Sequence, residues 1–114
     1  MTKSLVNETC EACRVDAPRL TEAELSTLLK DLNGWQVIEE DSEKRLQKVF
    51  AFSNFAKAMS FTMKVGALAE QANHHPSILL EWGRATVTWW THKIGGLHRN
   101  DCIMAAKTDT LMEP

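Results

Sequence analysis

Three of the four histidines stand where proton chemistry could be organised. Glu70 is followed by His74-His75-Pro76, then by His92, with Asp101 further along. Imidazole titrates near about pH 6.5, so at neutral pH it can give or take a proton without a large shift. Two imidazoles facing one ligand can protonate a leaving hydroxyl and remove a proton elsewhere. Dehydration and tautomerisation require those two operations. A carboxylate behind one imidazole would fix its tautomer and strengthen it as a base, and Trp90 offers a flat apolar surface for an aromatic substrate. Zinc binding by three His with Glu70 or Asp101 is the competing chemistry. Adjacent side chains at positions 74 and 75 usually diverge, and neither an HExxH motif nor a Cys-rich ligand set is present. The plainest alternative is that these histidines are surface or hydrogen-bonded groups.

The surrounding elements decide whether these residues meet. Thr21-Glu22-Ala23-Glu24 has the form of a capping box, and Leu25, Leu28, Leu29 and Leu32 recur at helical spacing until Asn33-Gly34 stops the helix. Trp35 to Ile38 predicts a short strand, Glu39 to Glu43 a charged turn, and Leu46 to Phe52 a second strand. Ser53 or Asn54 can cap a long helix to about Ala72, with Phe55, Ala58, Phe61, Val65, Leu68 and Ala72 as its apolar stripe. Beyond Pro76, two β-rich runs flank Gly83-Arg84 and predict a hairpin with a type II′ turn. Gly95-Gly96 breaks the chain, and Asn100 can cap a last helix from Asp101 to about Leu111. The order α-β-β-α-β-β-α gives an α+β fold with helices packed on one face of an antiparallel sheet.

If Gly83 and Arg84 are the loop residues, paired positions sum to 167. Leu80 then faces Val87, Ile78 faces Trp89, Ser77 faces Trp90, and His75 faces His92 at the open end. Ile78, Leu80, Trp82, Ala85, Val87 and Trp89 make the core side, while Leu79 and Trp90 are apolar residues on an otherwise polar face. Glu70 lies one helical turn before His74. It sits near a helix C-terminus, where the macrodipole disfavours a carboxylate, a local conflict that invites a functional reading.

Composition excludes several alternatives. A chain of 114 residues is one domain, large enough to hold a core unaided. The net charge is −2 without asymmetry: residues 1–57 carry eight basic and ten acidic groups, residues 58–114 five of each. That disfavours direct nucleic-acid binding. No run approaches a membrane span, the N-terminus lacks a secretory apolar core, and three cysteines make no disulfide framework. A cytoplasmic protein is expected. Residues 1–19, with Cys10, Cys13 and Pro18, read as a flexible arm. Its lone CxxC has no second pair, Cys102 reads as a small apolar filler, and His98 and Arg99 read as solvated surface groups.

The ordered set E-x3-HHP-x5-W-x9-H-x8-D, from Glu70 through Trp82 and His92 to Asp101, closely resembles the signature of the pterin-4a-carbinolamine dehydratase family. The resemblance runs from about Leu20 to Leu111 and includes Gly34-Trp35 and Gly95-Gly96-Leu97. It implies a four-stranded antiparallel sheet with three helices. It also implies dehydration of 4a-hydroxytetrahydrobiopterin to the quinonoid dihydropterin, recycling the pterin for aromatic amino acid hydroxylation with no metal or organic cofactor. By resemblance His74 and His92 are the acid/base pair, His75 binds and orients the pterin, and Glu70 supports the cluster. Asn73, Trp90, Thr91 and Lys93 match positions lining the pterin pocket. Asp101 matches the motif either as a site residue or as a structural group at a helix start. A homodimer or homotetramer is implied. The CxxC arm resembles those of bacterial members encoded near phenylalanine hydroxylases, which suggests a functional link to that enzyme. Other roles in the family leave two alternatives open: a regulatory protein-binding function, or action on another pterin such as a molybdopterin precursor.

Overall fold

The computed structural model describes residues 20–91 and 94–112. The arm with Cys10 and Cys13, and the site candidates His92 and Lys93, lie outside the described residues. The elements are α1 (Glu22–Leu29), β1 (Gln36–Glu40), β2 (Glu43–Ala51), α2 (Phe55–Ala72), β3 (Ser77–Glu81), β4 (Arg84–Trp89) and α3 (Arg99–Asp109). The four strands form one antiparallel sheet in the order β1-β2-β4-β3.

The helix starts follow from their caps. Thr21 and Glu24 exchange the two capping-box bonds, Glu24 amide to Thr21 Oγ1 at 3.1 Å and Thr21 amide to Glu24 Oε1 at 2.9 Å. Those bonds hold the Glu24 carboxyl below its ordinary value. Asn54 caps α2 by accepting from the Lys57 amide at 2.8 Å. Leu25 and Leu32, then Phe61, Val65 and Ala69 of α2, then Cys102 to Ala105 of α3 all enter one core with Leu46, Phe50, Ala85, Val87 and Trp89 of the sheet. Trp89, centrally placed and fully buried, satisfies its indole by donating to Thr108 Oγ1 at 3.0 Å. Trp35 donates to both oxygens of Asp109, and Lys48 donates to Asp109 Oδ1 at 2.8 Å. Gly34, at φ 87°, makes the left-handed turn that admits Lys48 beside it; a Cβ there would meet Lys48 Cε at 3.0 Å.

Three expectations need correction. The β1–β2 turn is only Asp41-Ser42, because Glu40 already pairs with Glu43. The second hairpin pairs Glu81 with Arg84, Leu80 with Ala85, Ile78 with Val87 and Ser77 with Thr88, so paired positions sum to 165 and not 167. Its loop residues are Trp82 and Gly83, neither with the positive φ of a type II′ turn. The cause is local. Arg84 donates twice to Glu81, at 2.8 and 3.2 Å, closing the last rung and holding the Glu81 carboxyl below its ordinary value. Phe52 N donates to Gly83 O at 2.8 Å, and a Cβ on Gly83 would crowd Phe52 O at 3.2 Å. Trp82, expected on the core side, is 69% exposed in the turn. The shift of two positions leaves the faces unchanged but removes the rung that set His75 opposite His92.

Third, α3 begins two residues early. His98, and not Asn100, is its cap: the His98 Nδ1 accepts from the Asn100 amide at 3.0 Å, and Asn100 is buried inside the helix. His98 is therefore half-buried and structural, while Arg99 is exposed as expected.

The Asp41-Ser42 turn suggests a stability test. Both residues have positive φ, 52° and 64°, the type I′ pattern that favours glycine at the second position. Ser42→Gly should raise the unfolding free energy by about 1 kcal/mol, by removing the left-handed penalty on a Cβ-bearing residue. A urea melt would show a higher midpoint at unchanged slope.

Candidate active site

The site is built on the C-terminal end of α2. Asn73 adopts the left-handed conformation, φ 53° and ψ 41°. His74 N returns to Ala69 O at 3.1 Å, and Asn73 N to Glu70 O at 3.2 Å. This six-to-one closure reverses the chain, and Pro76 prevents any resumption of helix while favouring extended backbone at His75. Consecutive histidines therefore leave the turn in different directions.

His74 goes inward. It is 3% exposed and stacks on Trp89, with ring centroids 5.5 Å apart and planes at 15°. Its Nε2 lies 2.7 Å from Asp101 Oδ1. Asp101 is fully buried. Its Oδ2 accepts from Thr91 Oγ1 at 2.7 Å and from the His98 amide at 2.9 Å. Three donors from three separate segments thus meet one carboxylate. A carboxylate oxygen accepts, so this contact favours the tautomer that carries its proton on Nε2 of His74. The same logic orients histidines in metal sites and catalytic triads. Asp101 is also the N3 residue of the α3 cap, so the same side chain stands at a helix start and against His74.

His75 goes outward. Its side chain is 56% exposed, and its Nε2 meets Glu70 Oε1 at 2.5 Å. That contact explains a carboxylate placed against the dipole at the end of α2. The site accordingly contains two carboxylate–imidazole pairs, one closed and one open to solvent, on neighbouring residues.

Thr91 is buried, and its backbone pairs with Gly96 through Thr91 N to Gly96 O at 2.9 Å. This bridge ties the residue two past the end of β4 to Gly96. Trp90, half-buried, has one face of its ring covered by Arg45, whose guanidinium carbon is 4.1 Å from the ring centroid. Arg45 and His98 are the residues that sequence reasoning missed as parts of this region. His98-x-x-Asp101 has the spacing of a capping box with an imidazole in the usual serine place, a signal that could have been read. Arg45 carries no such signal, because its position beside Trp90 depends on the pairing of β2 with β4.

Among the described residues no group of three His, Cys, Asp or Glu side chains is arranged to hold a metal ion, and no helix is long and apolar enough to cross a membrane. A cleft of about 320 Å³ lined by Phe52, Ser53, Lys57, Phe61, Lys64 and Met112 lies toward the other end of α2, roughly 20 Å along the helix from Glu70, and brings no imidazole or carboxylate together. Cys102 is buried beside the site; burial, helped by the Asp101 charge, pushes its thiol up to about 12.

Three predictions arise from this geometry. Asp101→Ala should cost about 3–5 kcal/mol in a urea melt, because it strands three buried donors. Glu70→Ala removes an exposed pair and should change stability by less than about 1 kcal/mol. Cys102 should also resist iodoacetamide at pH 8 in the native state and react on unfolding, as read by mass mapping of its own peptide.

The chain can now be set beside known proteins. The family model described as pterin 4 alpha carbinolamine dehydratase matches residues 18–111. Two relatives that carry the pterin-4-alpha-carbinolamine dehydratase name are each 61% identical. One is from Marinobacter nauticus, over 108 residues covering 95% of this chain and 97% of its own. The other is from Nitrosococcus oceani, over 104 residues covering 91% and 92%. Among solved structures, a transcriptional coactivator/pterin dehydratase from Brucella melitensis superposes with a TM-score of 0.76 at 32% identity, covering 84% of this chain and all of that one. A pterin dehydratase-like RuBisCO assembly factor of the alpha-carboxysome gives 0.58 at 25% identity, over 69% of this chain and 89% of that one. Sequence identity over nearly the whole length and the shared sheet-and-helix framework agree: this chain belongs to the pterin-4-alpha-carbinolamine dehydratase family, a family of hydro-lyases.

Proposed function

We propose that the protein dehydrates 4a-hydroxytetrahydrobiopterin to the quinonoid dihydropterin by histidine acid/base catalysis, and so recycles the pterin for aromatic amino acid hydroxylation. The observation that carries this reading is the pair of carboxylate-backed imidazoles at the end of α2, His74 on Asp101 at 2.7 Å and His75 on Glu70 at 2.5 Å. The reaction needs one proton delivered to the C4a hydroxyl as it leaves as water and one proton removed from N5. The C4a–O bond breaks with its electron pair on the departing water, the N5–H pair becomes the C4a=N5 bond, and there is no net oxidation or reduction.

In this reading His74 and His92 exchange the two protons. Asp101 acts through His74 as a positioning residue, holding its ring in place by the Nε2 contact. His75, open to solvent and braced by Glu70, binds and orients the pterin. Asn73, Trp90, Thr91 and Lys93 complete the pocket. The resting protein is a homodimer or homotetramer in the cytoplasm, working with a phenylalanine hydroxylase.

A second reading, a protein-binding role, has one observation in its favour. Phe55, Met59 and Met63 are exposed large apolar residues at four-residue steps on α2, the spacing of one helix face. The same face would serve self-association, so the native mass measured by light scattering, for wild type and Met63→Glu, separates a homo-oligomer from a surface kept for another protein.

The deciding measurement is stopped-flow absorbance on chemically generated 4a-hydroxytetrahydropterin. His74→Ala and His92→Ala should each lower kcat by about 10²–10⁴, while His75→Ala should mainly raise KM. An equal fall in kcat for all three would overturn this division of labour. A folded wild type that gives no acceleration would overturn the enzymatic reading itself.

A further inference from the structure

The residue that starts α3 is an unusual cap. Ser, Thr, Asp and Asn ordinarily accept from the first free amides of a helix, and none of them gains a proton near neutrality. Here the acceptor is an imidazole. His98 Nδ1 takes the Asn100 amide at 3.0 Å. A backbone N–H can only donate, so Nδ1 carries no proton in this contact. The capping ring is therefore neutral, with its one proton on Nε2.

His98 is joined to the site at two further points. Its amide donates to Asp101 Oδ2 at 2.9 Å, and the Asp101 amide donates to His98 O at 2.9 Å. The same carboxylate meets His74 Nε2 at 2.7 Å and accepts from Thr91 Oγ1 at 2.7 Å. Whatever moves the first turn of α3 thus moves the group that orients the buried imidazole. Asn100 is only 4% exposed, so its amide is poorly placed to exchange the ring for water.

A proton added at Nδ1 turns the acceptor into a donor facing a donor, and the cap bond ends. The added charge also stands at the positive end of the α3 dipole. The charged and titratable groups around it come from three elements. On α3 these are Arg99, the next residue, Asp101, and Cys102, which stays neutral because burial pushes its thiol up to about 12. From α1, Glu24 interacts with the charge of Arg99, and from the turn after α2, His74 is reached through Asp101. His74 is the other imidazole in this set, so the two rings must be told apart by experiment.

We infer that His98 is a proton-controlled positioning residue: the neutral ring caps α3 and keeps Asp101 seated on His74, and the protonated ring releases the cap and loosens that seat. Only the neutral form makes the bond. The cap is therefore intact at the alkaline end of the ordinary imidazole range and is lost as pH falls through it. Order in the site responds to mild acid by a route distinct from titration of the site's own histidines. The effect on turnover rests on the dehydratase reading above; the effects on α3 and on His74 do not.

The test compares wild type with His98→Ser, a cap that does not titrate, and with His98→Ala, which has no side-chain acceptor. Ring-nitrogen NMR should show His98 as the Nε2–H tautomer at about pH 8. As pH falls to about 5.5, the Asn100 amide and the His74 ring should shift in step with protonation of His98. In His98→Ser the His74 ring should lack that component. Between the same limits the unfolding constant from urea melts should rise about fivefold more in wild type than in His98→Ser. In stopped-flow assays with the uncatalysed rate subtracted, kcat should fall about two- to fivefold more in wild type, at unchanged KM. His98→Ala should show a low kcat even in mild alkali, which serine restores. Parallel pH profiles in wild type and His98→Ser, for His74 and for unfolding alike, would overturn the inference. A steeper unfolding profile with no change at His74 or in kcat would make His98 a cap alone and overturn its positioning role. A wild type that turns over no pterin would instead overturn the functional reading, and the NMR and the melts would still decide the inference.

Discussion

A carboxylate sealed from water must be given hydrogen bonds by the protein, since the cost of leaving it bare exceeds what a small domain can tolerate. Asp101 is such a group, with no exposed surface. Its donors are His74 from the end of α2, Thr91 just past β4, and the His98 amide at the start of α3. Satisfying this one charge fixes where three segments meet. It locates α3 against the sheet, ties Thr91 to the start of α3, and orients the buried imidazole. The same carboxylate serves as the N3 group of the α3 cap, so helix initiation and site geometry rest on one side chain.

The second constraint is the chain reversal after α2. A left-handed residue at position 73 followed by the six-to-one bond from His74 makes two neighbouring imidazoles point apart. One becomes a desolvated, oriented group stacked on Trp89; the other stays in contact with solvent and an exposed carboxylate. Like side chains in unlike surroundings can divide the work of proton transfer and substrate binding, as different environments separate the roles of paired catalytic groups elsewhere.

The arrangement around Arg45 shows how one cation can settle a conflict between two strands and pack on a ring of a third. The opposed Glu40 and Glu43 would weaken the hairpin without a cation between them. Once two arms of the guanidinium are taken by those carboxylates, its planar face is held in a defined place over Trp90. Arginine is suited to this because its donors lie in one rigid plane.

Local interactions made much of the fold legible. The Thr21–Glu24 box, the Asn54 cap, the apolar stripe of α2 and the order of seven elements depend on neighbours within a few residues, and a sequence displays those directly. The hairpin faces were also legible, because a strand has a period of two and a slip of two positions preserves it; Ala85, Val87 and Trp89 are buried as alternation requires. Rung partners were not, since the Glu81–Arg84 pair and the close approach of Phe52 O to Gly83 choose the turn, and the latter is a contact from another strand. The spacing of Glu70, His74, His75 and Asp101 announced a site by residue type alone. That Asp101 would hold His74 and Glu70 would hold His75 was decided by tertiary structure. Burial sets which carboxylate must be satisfied by the protein, and only packing of α3 against the sheet determines which imidazole comes within its reach.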